Sequence, residues 1–197
     1  MTSINAKDVA KLREMSGVGM MDCKKALEET GGDFDKAIEL LRKKGAKAAE
    51  KRAGREAKEG IIVSYIHNGR VGVLLELNSE TDFVAKNSDF KNLASEIALQ
   101  IAAMNPKYIS PSEIPNEEIE KEKEIEAEKM KESGKPADII GKIVEGKIDK
   151  YYSEVCLLKQ PFFKDEKKTV EDLINEAIAK IGEKIEVGRF ARYEIGK

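Results

Sequence analysis

The sequence predicts an α+β protein, and three observations carry that reading. Apolar residues recur at helical spacing up to Gly45, two β-branched-rich runs flank an Asn-Gly pair after Gly60, and beyond Pro106 helical patterns alternate with two further strand-like runs. The expected organisation is a three-helix bundle over residues 1–45, a basic linker over 46–59, and an α+β core over 60–197. In that core a small, mainly antiparallel sheet is covered by helices.

The bundle is read from its caps and stops. Asn5 with Asp8 starts a helix whose stripe, Val9 and Leu12, ends at Ser16-Gly17. Met20, Cys23, Ala26 and Leu27 share one face of a second helix, which Gly31-Gly32 stops; Asp33 caps a third, in which Phe34, Ala37, Ile38 and Leu41 repeat until Gly45. Three helices of about ten residues must pack on one another to bury their faces. The loop Ser16-Gly17-Val18-Gly19 and the following Met20-Met21 have two readings, core filling or an adaptable partner-binding surface. Between Arg42 and Lys58 eight basic residues stand against two acidic ones, as either a helical connector or a flexible linker.

After Gly60 the period changes. Ile61–Ile66 and Val71–Leu77, joined through His67-Asn68-Gly69-Arg70, form a hairpin, and their nearly continuous apolarity points to a covered sheet. Phe90, Leu93, Ala94, Ile97, Ala98 and Ile101 supply a covering helix that Pro106 ends. Residues 116–133, with eight glutamates, form a mostly exposed helix. Gly134 breaks it, and Pro136 opens the next helix, whose apolar face is Ile139, Ile140, Ile143 and Val144. A strand is expected at Glu154–Leu158, then a charged turn, a helix capped by Thr169 with Asp172, and a closing strand Lys184–Ile195. In that last strand Ile185, Val187, Tyr193 and Ile195 share one phase, Phe190 falls outside it, and Gly188 marks a bulge.

Composition narrows the function classes. With 37% charged residues, no Trp and a net charge of −2 over 197 residues, the surface is heavily solvated but not built as a whole for nucleic acid. The basic stretch supports an RNA-binding accessory protein as the rival reading, but no aromatic residue is interleaved there for base stacking, so direct nucleic-acid binding is not expected. Cys23 and Cys156 form neither a disulfide framework nor a CxxC pair, and the single histidine, His67, cannot build a zinc site. Gly141 to Ile148 imitates a phosphate-binding loop but has Ile148 where a Ser or Thr hydroxyl is needed. Met1–Asp8 carries no apolar core of a signal peptide, and no run approaches the ~18 apolar residues of a membrane span. A cytoplasmic protein with no cofactor, no membrane association and no covalent chemistry is expected.

One stretch remains unassigned by these exclusions: Thr81-Asp82-Phe83-Val84, at a strand-to-helix corner. Pattern leaves open whether Phe83 and Val84 turn inward as a plug or outward as contacts. Two signatures resemble the elongation factor Ts family: Leu12-Arg13 through Ser16-Gly17-Val18-Gly19-Met20-Met21-Asp22-Cys23-Lys24-Lys25-Ala26-Leu27, and Glu76-Leu77-Asn78 through Thr81-Asp82-Phe83-Val84-Ala85-Lys86. Gly134-Lys135-Pro136, Val144-Glu145-Gly146 and Gln160-Pro161-Phe162 agree, so the resemblance covers nearly the whole chain. It implies a guanine-nucleotide exchange factor for the translational GTPase elongation factor Tu, met in its GDP-bound and nucleotide-free states. The bundle, similar to a ubiquitin-associated domain, would dock through Leu12, Val18, Met20 and Met21. Thr81, Asp82, Phe83 and Val84 would form a wedge beside the partner's Mg²⁺ and phosphates, and His67 would approach its phosphate-loop side. Longer family members carry two core repeats. Here His67 and Phe83 fall in one repeat, and a homodimer supplying both contacts is the hypothesis that follows.

Overall fold

The computed structural model describes residues 4–131 and 137–197; the expected helix stop at Gly134 and start at Pro136 lie outside the described residues. α1 (Ala6–Ser16) begins where Asn5 Oδ1 accepts the Asp8 N–H at 2.8 Å and ends at left-handed Gly17. With α2 (Met20–Glu29) and α3 (Phe34–Arg52) it closes a small core centred on Leu12, Cys23, Ala26, Leu27 and Ala37. The third helix does not stop at Gly45 but continues to Arg52. Ala46, Ala48 and Ala49 favour helix, and Gly45 is a point of close approach: a Cβ there would lie 3.3 Å from the Asn175 carbonyl of α8 (Val170–Ile181). Part of the expected linker is therefore helix, packed along α8.

The hairpin forms as expected. β1 (Glu59–His67) and β2 (Val71–Ser79) pair across Asn68 and Gly69, both at positive φ (49° and 67°), the signature of a tight hairpin turn. β5 (Ile185–Glu194) pairs antiparallel with the other side of β2, giving the order β1-β2-β5. Glu76 faces Arg189 while Leu77 faces Val187, so Gly188 is the extra residue of a bulge. The bulge reverses the phase of the strand: Ile185 is buried and Phe190 packs on the core, whereas Tyr193 turns outward. α5 (Ser88–Met104) and α8 cover one face through Phe90, Ile97, Ile101, Val170 and Ile174. The opposite face leaves Ile62, Ile66, Leu74 and Tyr193 exposed, so the continuous apolar runs serve two faces of which helices cover one.

α6 (Asn116–Lys131) and α7 (Ala137–Val155) pack on each other, and at their root Glu118 accepts hydrogen bonds from the Tyr108 and Tyr151 hydroxyls. The strand expected at Glu154–Leu158 is instead the end of α7, a single bridge between Tyr108 and Cys156, and a one-turn 3-10 helix Leu157–Lys159. Ile148 and Val155, two turns apart, are both buried, and this helical face overrides the β-prone local composition. The 3-10 turn is held by a buried amide pair: Gln100 donates to Gln160 Oε1 and the Pro161 carbonyl and accepts from the Phe163 N–H. β3 (Pro161–Phe162) and β4 (Asp165–Thr169) form a short ribbon in place of the expected charged turn, and Thr169 with Asp172 makes the expected reciprocal cap on α8.

Candidate functional site

β2 ends in a fixed corner. Ser79, fully buried, donates to the Thr81 carbonyl at 3.0 Å, and Thr81, in extended conformation, caps the one-turn helix α4 (Asp82–Ala85) by accepting the Val84 N–H. Val84 and Ala85 are buried against the sheet and α5, and on a helical turn this directs the preceding residue away from the core. Phe83 is consequently 79% exposed. A phenyl group left in water forgoes about 1.5–3 kcal/mol of burial, which makes the exposed ring at this corner a candidate contact. Asp82 lies beside it, 2.6 Å from Lys86 Nζ; that hydrogen bond, reinforced by the lysine's charge, holds the carboxyl below its ordinary value. Of the four residues expected at the wedge, Val84 is buried in the core, and its burial is what aims Phe83 outward.

The bundle carries a second apolar patch. Met21 is 64% exposed, and Met20 and Met15 are exposed near it in sequence. Leu12 and Val18, expected as docking contacts, are buried in the bundle core, and Cys23 Sγ lies 3.5 Å from the Val18 carbonyl. With Val9, Cys23, Ala26, Leu27, Ala37 and Leu41 they close the bundle core and shape the loop between α1 and α2 from within. Met15 was missed in the sequence. Its signal was available: it lies about 60° from Leu12 and about 120° from Val9, at the margin of the apolar stripe rather than on it.

His67 is exposed at the hairpin, stacked on Tyr65, with the Tyr65 hydroxyl 3.0 Å from Nδ1. It is not brought near Phe83. The two flank opposite ends of β2, which at ~3.4 Å per residue separates them by roughly 27 Å. The basic stretch is largely engaged within the chain: Arg42 with Glu176, Lys43 with Glu39, Lys44 with Glu29, Arg52 with the Gly182 carbonyl, Arg55 with Glu80 and Lys58 with Glu56. Gly141–Ile148 lies wholly inside α7, so its backbone N–H groups form no phosphate cradle. Among the described residues no cluster of three or more His, Cys, Asp or Glu could hold a metal ion, and no helix is long and apolar enough to cross a membrane. A cavity of about 540 Å³ between α3, α8 and β5 is lined by none of the exposed apolar residues of the two patches.

Fold and site thus define a class: an α+β protein with a docked helical bundle that presents large apolar side chains on rigid corners. A family model described as Elongation factor TS matches residues 5–197. Elongation factor Ts of Fervidobacterium nodosum is 58% identical over 195 residues, spanning 98% of this chain and 99% of that protein. Elongation factor Ts of Desulforamulus reducens is 59% identical, spanning 100% of this chain and 91% of that protein, and that of Thermotoga petrophila is 60% identical, spanning 96% and 94%. The chain belongs to the elongation factor Ts family, a family of translation elongation factors.

Proposed function

We propose that this chain is a guanine-nucleotide exchange factor for elongation factor Tu, acting in the cytoplasm without a cofactor and without making or breaking a covalent bond. The observation that carries the reading is Phe83, exposed on a corner whose neighbours are locked into the core. GDP is held in a GTPase by backbone N–H groups, a helix N-terminus and a bridging Mg²⁺, so displacing the metal or rotating a few peptides removes several charge-assisted contacts together. Phe83 supplies the apolar wedge and Asp82 a charge beside the metal, while Thr81 sets the base of the turn. Burial of Phe83 in the partner stabilises the distorted, nucleotide-free conformation, and by reciprocity nucleotide weakens factor binding by the same ratio. The bundle, residues 1–45, docks through Met20, Met21 and Met15.

His67 extends the reading to two chains. Its distance from Phe83 supports a homodimer in which His67 of one chain and Phe83 of the other meet the same GTPase. The exposed sheet face with Ile62, Ile66, Leu74 and Tyr193 is the surface through which the copies pair. Sedimentation that finds only monomers, free and in complex, would sink the dimer. The exchange reading is tested by release of a fluorescent GDP analogue from elongation factor Tu: the folded chain accelerates release, and no acceleration refutes it.

A further inference from the structure

Three segments distant in sequence meet behind Phe83. Glu183 accepts both the Thr81 N–H (3.0 Å) and the Thr81 hydroxyl (2.8 Å), and that hydroxyl is also the cap of the Phe83 turn. Glu80 accepts the Lys184 N–H at 2.6 Å, and Arg55 Nη1 donates to each of its oxygens at 3.2 Å. Lys184 Nζ returns to the Arg55 carbonyl at 2.9 Å, and Arg52 Nε donates to the Gly182 carbonyl at 3.0 Å. The exit of α3, the wedge turn and the start of β5 are thereby closed into one polar knot. Its bonds lie at the surface, with the Arg55 and Glu80 side chains 53% and 21% exposed, where such contacts add little to overall stability. What they add is direction, because charge-assisted hydrogen bonds to a carboxylate fix orientation as well as distance.

We infer that Glu183, with Glu80, Arg55 and Lys184, forms a positioning device that holds the Phe83 turn in a fixed direction relative to the end of α3 and the start of β5. The inference rests on the exchange reading above. Docking holds the factor in place through the bundle, and Phe83 works against the partner's structure from the other side of the knot. With α3 held along α8, a turn released from the knot lets the wedge retreat while docking persists. The knot residues therefore act on the rate of release at saturation and leave binding alone, which is the signature of an interaction made in the strained state only.

The test uses the full chain, elongation factor Tu and a fluorescent GDP analogue, reading maximal release rate and half-saturating concentration. Glu183→Gln replaces an acceptor oxygen by a donor facing Thr81; it lowers the maximal rate about tenfold and moves half-saturation by less than about twofold, and Glu183→Asp restores most of the rate. Glu183→Gln releasing at the wild-type maximal rate, while Phe83→Ala is deficient, overturns the knot and leaves the wedge reading intact. Equal release by wild type and Phe83→Ala overturns the wedge reading, and the knot with it. Should Glu183→Gln unfold, Arg55→Ala carries the same test, because its half-exposed side chain can be removed without opening the core. Folded Arg55→Ala with an undiminished maximal rate then overturns the inference.

Discussion

Truncating Phe83 to alanine isolates the wedge from everything that holds it. In the free chain the ring is 79% exposed, so its removal takes away little packing, and the folded state changes by less than about 0.5 kcal/mol. The proposed exchange mechanism buries the same ring in the complex, so that its loss costs about 1.5–3 kcal/mol of transition-state stabilisation. At ~1.4 kcal/mol per factor of ten, that is roughly a 10- to 150-fold fall in stimulated nucleotide release. Stopped-flow release of a fluorescent GDP analogue reads the rate, and thermal unfolding of the free variant reads the stability. A variant that releases nucleotide as fast as wild type, or one whose thermal midpoint collapses, refutes the reasoning, since the second result makes Phe83 a structural residue.

Met21→Glu, on the exposed bundle patch, raises the half-saturating concentration about tenfold with the maximal rate unchanged, because docking energy is shared by ground and transition states. Gln100→Ala leaves the Phe163 N–H and Gln160 Oε1 without their Gln100 partner and destabilises the chain by about 2–3 kcal/mol, read by urea unfolding with an unchanged m-value. The root of α6 and α7 is sensitive to pH on two sides. Hydrogen bonds from Tyr151 and Tyr108 hold Glu118 below its ordinary 4.5, so its contribution is complete above that pH and lost as pH falls through the lowered value. Burial first, and then Glu118, raises Tyr151 above 10.0, so its contribution is complete below pH 10 and lost as pH rises further. The thermal midpoint of wild type falls outside this window more steeply than that of Tyr151→Phe.

What the sequence made legible was whatever local chemistry decides. Asn5, Asp33 and Thr169 cap the helices they were expected to cap, Asn68-Gly69 turns the hairpin, and Gly188 bulges the last strand. Gly45 misled because it reads as a helix stop, whereas its function is contact with a carbonyl of α8, a residue far along the chain. The strand expected at Glu154–Leu158 failed because Ile148 and Val155, two turns apart, bury one helical face, and that outweighs the short apolar run Val155–Leu158. At the candidate site the spacing located the corner but not the direction of its side chains. Phe83 and Val84 are chemically alike, and only the packing of α4 on the sheet sends one outward. The same holds for Leu12 and Val18 against Met20 and Met21. The knot was invisible, since hydrogen bonds between Arg55, Glu80 and Lys184 leave no periodic trace.

The unbroken run of α3 from Phe34 to Arg52 makes its length a calibrated quantity. One residue inserted between Ala46 and Ala49 would turn everything upstream by about 100° and shift it by about 1.5 Å, swinging the methionine patch round the axis while every local contact of the bundle stayed intact. The helix thus behaves as a keyed shaft: its composition can drift, provided that the number of residues between bundle and corner does not.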